Sequence, residues 1–171
     1  MGFFDFLKKS AAPAAPAEPT FPMMLAADAK GAFVPMENIP DEVFAQGILG
    51  TCCGIDPSEG KVFAPAGGEI TQAPDSGHAL GIMDDGGVEI LIHVGVDTVE
   101  MKGDGFSPKV KVGDKVKKGD LLLEMDLGKI AAAGHPAVVI TVVTNTDDFK
   151  AVEVVASGDV EPGADLIKVS K

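Results

Sequence analysis

From Phe21 onward, the hydrophobic positions come in short runs: GAFVPM, ILGTCCGI, KVFAPAGGEITQA, HALGIM, GVEILIHVGV, VKVGDKVKKGDLLLEM, AVVITVV and AVEVVASGDVEPGADLIKV. Gly, Pro and Asp punctuate them, and several alternate with period two, as strands with one buried face do. Turn residues at such short intervals predict an all-β fold, an antiparallel sandwich or partly closed barrel. Helix is confined to short turns, the best candidates being PDEVFAQ, with Asp41 as its cap, and LGKIAAAG. VGDKVKKGDLL and SGDVEPGADLI echo each other and read as two similar hairpins within one domain.

The stretch HALGIMDDGGVEILIH holds two of the chain's three histidines, His78 and His93. If Asp85-Gly86 forms a two-residue hairpin loop, residue 84 faces 87, and His78 faces His93 across the ladder. Val88, Ile90, Ile92, Val94 and Val96 then form the core row, joined by Met83, Gly81 and Ala79. Glu89, Leu91, His93, His78, Leu80 and Ile82 share the other face. Directly opposed side chains have Cβ atoms about 5 Å apart, so two imidazoles ringed by Leu80 and Leu91 would make a titratable centre in an apolar collar.

The chain has room for one domain, with tails. Residues 1–9 (MGFFDFLKK) read as an amphipathic segment able to touch a membrane weakly, residues 10–20 as a Pro/Ala spacer, and 21–171 as the folded domain. The 171 residues carry a formal charge of −12 from 14 basic and 26 acidic side chains. Such a surface disfavours nucleic acid and suits cationic protein partners. Adjacent Cys52 and Cys53 form no disulfide framework and read as small apolar strand residues, in keeping with a cytoplasmic protein.

The sequence has no phosphate loop of the GxxxxGK[ST] kind, no GxSxG elbow and no HExxH. A histidine nitrogen can still carry a group covalently, and phosphoryl is the natural cargo, with the second imidazole stabilising its oxygens. Two other chemistries compete. A zinc-dependent hydrolase would place the metal on His78 and His93 and take a third ligand from Glu89, Asp97 or Glu100. A lipoyl or biotinyl carrier would modify Lys102, which lacks the flanking pattern of such a lysine.

EILIHVGVDTVEMKGDGF, with KVFAPAGGEITQ and DSGHAL before it, closely resembles the glucose-type enzyme IIA of the bacterial phosphoenolpyruvate-dependent sugar phosphotransferase system, over roughly residues 21 to 150. The resemblance implies a β-sandwich that accepts phosphoryl from the carrier HPr and passes it to a cysteine of a IIB domain, free-standing or in a IIBC permease. It also allows regulatory binding. His93 matches the phosphorylated histidine, His78 its supporting partner, and Ser76 a position where the family usually has a threonine contacting that partner. Asp97 and Glu100 match acidic positions beside the site, and Phe44, Ile48 and Leu91 the apolar docking face. No cofactor is implied, although the pair could hold a zinc ion. The match is weak from Ala151 onward.

Overall fold

The computed structural model describes residues 20–171; the amphipathic segment and nearly all of the spacer lie outside them. Fourteen strands follow in chain order: β1 (Met23–Ala26), β2 (Gly31–Val34), β3 (Thr51–Pro57), β4 (Lys61–Phe63), β5 (Gly68–Gln72), β6 (Ala79–Asp84), β7 (Glu89–Val94), β8 (Phe106–Pro108), β9 (Lys115–Val116), β10 (Leu121–Met125), β11 (Val139–Val143), β12 (Ala151–Val154), β13 (Asp159–Val160) and β14 (Asp165–Ser170). Two short helices, α1 (Glu42–Ala45) and α2 (Leu127–Ala132), complete the regular structure with three 3₁₀ turns. The expected all-β class and both helical turns are present. Asp41 caps α1, its carboxylate accepting from Val43 N at 2.8 Å and Phe44 N at 3.4 Å.

An eight-stranded sheet, ordered β13-β2-β3-β11-β7-β6-β5-β9, faces two three-stranded sheets, β1-β14-β12 and β4-β10-β8. All pairings are antiparallel. The main core lies between these layers, where Ile55, Leu80, Ile82, Ile92 and Val139 meet Leu25, Ile167, Leu122 and Leu123. Burial of aliphatic side chains at about 25 cal/mol per Å² drives this arrangement, because the sequence has no Trp or Tyr. The outer face of the large sheet carries a second apolar cluster: Ile39, Phe44, Cys52, Val96, Val138, Ile140 and Val142.

The echoing segments are not hairpins. In each, the first strand pairs at an edge of the large sheet (β9 on β5, β13 on β2), while the second becomes the central strand of a three-stranded sheet. The second turn of each segment, residues 117–120 and 161–164, thus carries the chain from one layer to the other. The C-terminal strands, where the resemblance is weak, are integral: β14 bridges β1 and β12. Cys52 and Cys53 point to opposite faces of β3, one into each apolar cluster.

Asp28, after β1, is a fully buried carboxyl. Its Oδ2 accepts from Thr141 Oγ1 at 2.5 Å, whereas Oδ1 has no partner among the described residues. Burial pushes its pKa up to about 7, against the downward pull of the Thr141 hydrogen bond. The folded state therefore retains a proton that the unfolded chain releases near pH 4. Stability contributed by this group is full below pH 4 and is lost as pH rises to about 7. Asp28→Asn should match wild type in urea unfolding near pH 4 and exceed it at pH 8 by on the order of 2–4 kcal/mol. A gap that does not widen with pH contradicts this account.

Candidate functional site

β7 sits between β11 and β6, so His93 stands on a supported central strand, beside Ile140 and Ala79. Alternation sends Ile90, Ile92 and Val94 into the main core and turns His93 and Leu91 outward onto the second cluster. The Phe44 ring lies 5.1 Å from the His93 ring, tilted by 52°. Below it, Cys52 Sγ donates to the Phe44 carbonyl at 3.2 Å and fixes α1 against the sheet.

His78 reaches His93, but not by the expected register. Ala79, not His78, opposes His93, and every pair along the ladder is shifted by one. The loop has three residues, Asp85 to Gly87. Gly87 at φ 87° returns the chain, and its N–H donates to Asp84 O at 3.0 Å. The buried Asp84 side chain sets this geometry by accepting from Gly86 N at 2.6 Å.

The slip turns β6 over. Leu80 and Ile82 enter the main core at 1% exposure each, so Leu80 is not part of a docking collar. Ala79, Gly81 and Met83 take the outer face instead. Val96 also departs from the expected core row: beyond Gly95 the chain bends and delivers it to the second cluster.

Two glycines bring the imidazoles together despite the slip. Gly77, at φ 70°, breaks the strand before His78, whose carbonyl still accepts from Val94 N at 2.7 Å while its ring leaves the ladder. The two rings sit 5.0 Å apart, edge to face at 81°. Gly95, at φ 76°, folds its carbonyl back so that His93 Nδ1 donates to it at 2.8 Å. A Cβ at Gly95 would meet Thr98 Cγ2 at 2.4 Å and the Pro136 carbonyl at 2.7 Å. Thr98, itself buried, locks the turn by donating to the Val94 carbonyl.

Burial lowers the pKa of His93, while the Gly95 hydrogen bond and the Asp41 and Asp97 carboxylates pull it back upward. The pKa of His78 is lowered by burial first and by the neighbouring His93 second. Both rings are neutral at pH 7. With Nδ1–H committed to Gly95, the lone pair of His93 is on Nε2. His78 is 8% exposed, and its Nδ1 is buried without a hydrogen-bond partner among the described residues.

The other expected site residues fall around this pair. Asp97 and Glu100 are exposed on the loop after β7, Asp97 in the left-handed region at φ 60°. Ile48 is 66% exposed, and Leu91 is half-buried against the second cluster. Ser76 is half-buried two residues before His78, with no hydrogen bond to its Nδ1. Sequence reasoning missed Asp41, noted only as a helix cap, and Gly95; the HVGVD spacing was the available clue to the second. His135, the third histidine, places Nε2 3.9 Å from Glu100 Oε2. No third His, Cys, Asp or Glu completes a metal-binding cluster among the described residues, and exposed Lys102 follows a 3₁₀ turn rather than tipping a hairpin.

The histidine pair lies at an open face. A groove of about 400 Å³ runs beside it over Gly81, Leu91 and Gln72, and a larger cavity of about 620 Å³ lies elsewhere, between Gly60, Phe106 and Lys129. A neutral, oriented imidazole packed beside Phe44 is able to carry a group covalently. The family model for the EIIA 1 domain of the phosphoenolpyruvate-dependent sugar phosphotransferase system matches residues 23–149, and the chain belongs to that family. Membership makes it a phosphotransferase component, a carrier of phosphoryl groups.

Relatives agree. The chain is 42% identical over 140 residues to the glucose-specific EIIA component of Halalkalibacterium halodurans, covering 82% of this chain and 81% of that protein. It is 43% identical over 134 residues to the beta-glucoside-specific EIIBCA component of Dickeya chrysanthemi, where it spans only 21% of the longer protein. Among solved structures, the glucose permease IIA from Mycoplasma capricolum superposes with a TM-score of 0.78 at 32% identity, covering 87% of this chain and 96% of that one.

In an NMR pH titration, His78 and His93 should both protonate below the usual value of about 6.5, and His93→Gln should move His78 back upward. Either histidine titrating at or above the ordinary value contradicts the burial argument. Gly95→Ala should cost about 2 kcal/mol or more in urea unfolding, through strain at positive φ and the clash with Pro136. An unchanged midpoint contradicts the role given to that turn.

Proposed function

We propose that His93 Nε2 accepts phosphoryl from the phosphohistidine of HPr and passes it to a cysteine of a IIB domain, free-standing or within a IIBC permease, during sugar uptake. The single observation that carries this reading is the 2.8 Å bond from His93 Nδ1 to Gly95 O, which leaves Nε2 as the nucleophile on an open face. In the first step the donor's P–N bond breaks as the P–Nε2 bond forms. The donor nitrogen keeps the electron pair, and the Nδ1 proton stays on Nδ1, hydrogen-bonded to Gly95 O. No cofactor is required.

His78 stabilises the oxygens of the transferring group. The two rings meet edge to face, and the buried Nδ1 of His78, without a partner among the described residues, costs about 1–3 kcal/mol, a cost functional sites tolerate. Ser76, which makes no hydrogen bond to His78 Nδ1 in this structure, supports His78 from the preceding loop only once the phosphoryl group is being transferred. Phe44, Ile48 and Leu91 supply the apolar docking surface, with the groove over Gly81 beside it. Asp41, Asp97 and Glu100 attract cationic groups of the donor, whose charge balances the developing phosphate in a chain without arginine.

The same face serves regulatory binding, since phosphate on His93 changes its charge and shape together. The imidazoles also offer two of the ligands zinc takes, and water would complete its shell. The acidic domain has no helix, among the described residues, long and apolar enough to cross a membrane; we assign the working site to the cytoplasm.

Incubation with phosphoenolpyruvate, enzyme I and HPr should place acid-labile phosphate on the wild type and none on His93→Ala. His78→Ala should take up phosphate but transfer it to IIB slower by a factor on the order of 10²–10³. Label on His93→Ala, or wild-type transfer by His78→Ala, overturns these roles.

A further inference from the structure

We infer that the cavity of about 620 Å³ between Gly60, Phe106 and Lys129 binds a neutral monosaccharide, held against the loop that precedes His78.

Its volume falls within the roughly 300–1,000 Å³ typical of small-molecule sites. Two of its walls are bare backbone. A Cβ at Gly60 would meet the Met125 carbonyl at 2.1 Å, and one at Gly105, where φ is 91°, would meet Lys129 Cβ at 3.3 Å. Both glycines are tied to the end of β10, Met125 N donating to Gly60 O at 2.9 Å and Asp126 N to Gly105 O at 2.8 Å. The space is thus framed by hydrogen-bonded backbone.

The lining selects the chemistry of the ligand. Phe106, Met125 and Leu127 give an apolar wall suited to the C–H face of a ring. Glu59, Glu124 and Asp126 bring carboxylates, which only accept hydrogen bonds, so the ligand must carry the donors. Among the described residues, each carboxylate is engaged through one oxygen: Glu59 Oε1 with Lys30 at 3.6 Å, Glu124 Oε1 with Lys109 at 3.8 Å, and Asp126 Oδ1 with Lys129 N at 3.0 Å. The second oxygen of each is left to accept from a hydroxyl.

Charge narrows the class further. Lys129 Nζ is held by Asp104 Oδ1 at 2.8 Å, and the surrounding carboxylates repel a phosphate ester. Because lysines already answer Glu59 and Glu124, the cavity does not demand a cation either. An uncharged ring with hydroxyls around its edge meets both conditions.

Phe106 connects this cavity to the histidines. A Cβ on Gly77 would come within 2.9 Å of Phe106 Cβ, and Gly77 is the break that turns the His78 ring out of its ladder. A sugar seated on Phe106 is therefore felt one residue from His78.

The test titrates D-glucose to about 50 mM into the full chain and follows its amide NMR signals. Gly60, Gly105 and Ser107 should shift with one half-saturation on the order of 1–10 mM, as a ligand of about a dozen heavy atoms gives, and Gly77 should follow the same curve. Exposed Val112 should stay still. Phe106→Ala should weaken binding at least about tenfold. Since Phe106 also packs on the main core, Ser107→Trp, at an exposed position, is the second variant: it fills the cavity mouth and should abolish the shifts. Five results would overturn the inference: no saturable shift; shifts at Val112 equal to those at Gly105; unchanged half-saturation in Ser107→Trp; an unmoved Gly77; and tighter binding of inorganic phosphate or putrescine, which marks an anion or a cation site. No phosphoryl transfer is measured, so failure here leaves the proposed function standing.

Discussion

The site depends on one hydrogen bond, from His93 Nδ1 to the carbonyl of Gly95. It selects the tautomer, aims Nε2 outward and ties the imidazole to the backbone two residues on, so the ring cannot rotate freely. Such preorganisation matters more for a carrier than for an enzyme with a closed pocket, because the protein must present its nucleophile before the partner arrives. Three features maintain the bond: positive φ at Gly95, the buried Thr98 hydroxyl bonded to the Val94 carbonyl, and the antiparallel support of β11 and β6.

The rest of the fold gives that bond a stiff and dry setting. The large sheet packs its inner face on two small sheets and is left with an outer face that would otherwise be fully wetted. α1 covers part of it through Phe44, itself tied to Cys52 on β3. Burial keeps both histidines neutral, and the Asp41 and Asp97 carboxylates limit how far the pKa of His93 falls. Neutral rings are needed for the chemistry, because a protonated imidazole has no lone pair to offer.

Much of this was legible in the sequence. The β-branched run Ile90, Ile92, Val94 announced a strand with one core face, and Asp41 after Pro40 announced a helix cap. The partnership of His78 and His93 was also readable, but for a reason that proved incorrect. Asp85-Gly86 suggested a two-residue loop, whereas the buried Asp84 side chain and the second glycine, Gly87, favour three, and a one-residue slip follows. The slip moved Leu80 into the core, and only the break at Gly77 allowed His78 to keep its neighbour.

What stayed hidden was non-local. Nothing in SGDVEPGADLI says that its two strands enter different sheets, because that choice is made by edges supplied from β2, β1 and β12. The burial of Asp28 against Thr141 likewise joins positions 113 residues apart. The most direct test of the central claim is the pair of imidazole ¹⁵N shifts of His93 at pH 7, before and after phosphorylation. A protonated Nδ1 with a free Nε2, followed by phosphorus coupling at Nε2, is the predicted result. A protonated Nε2, or phosphorus on Nδ1, would contradict the account.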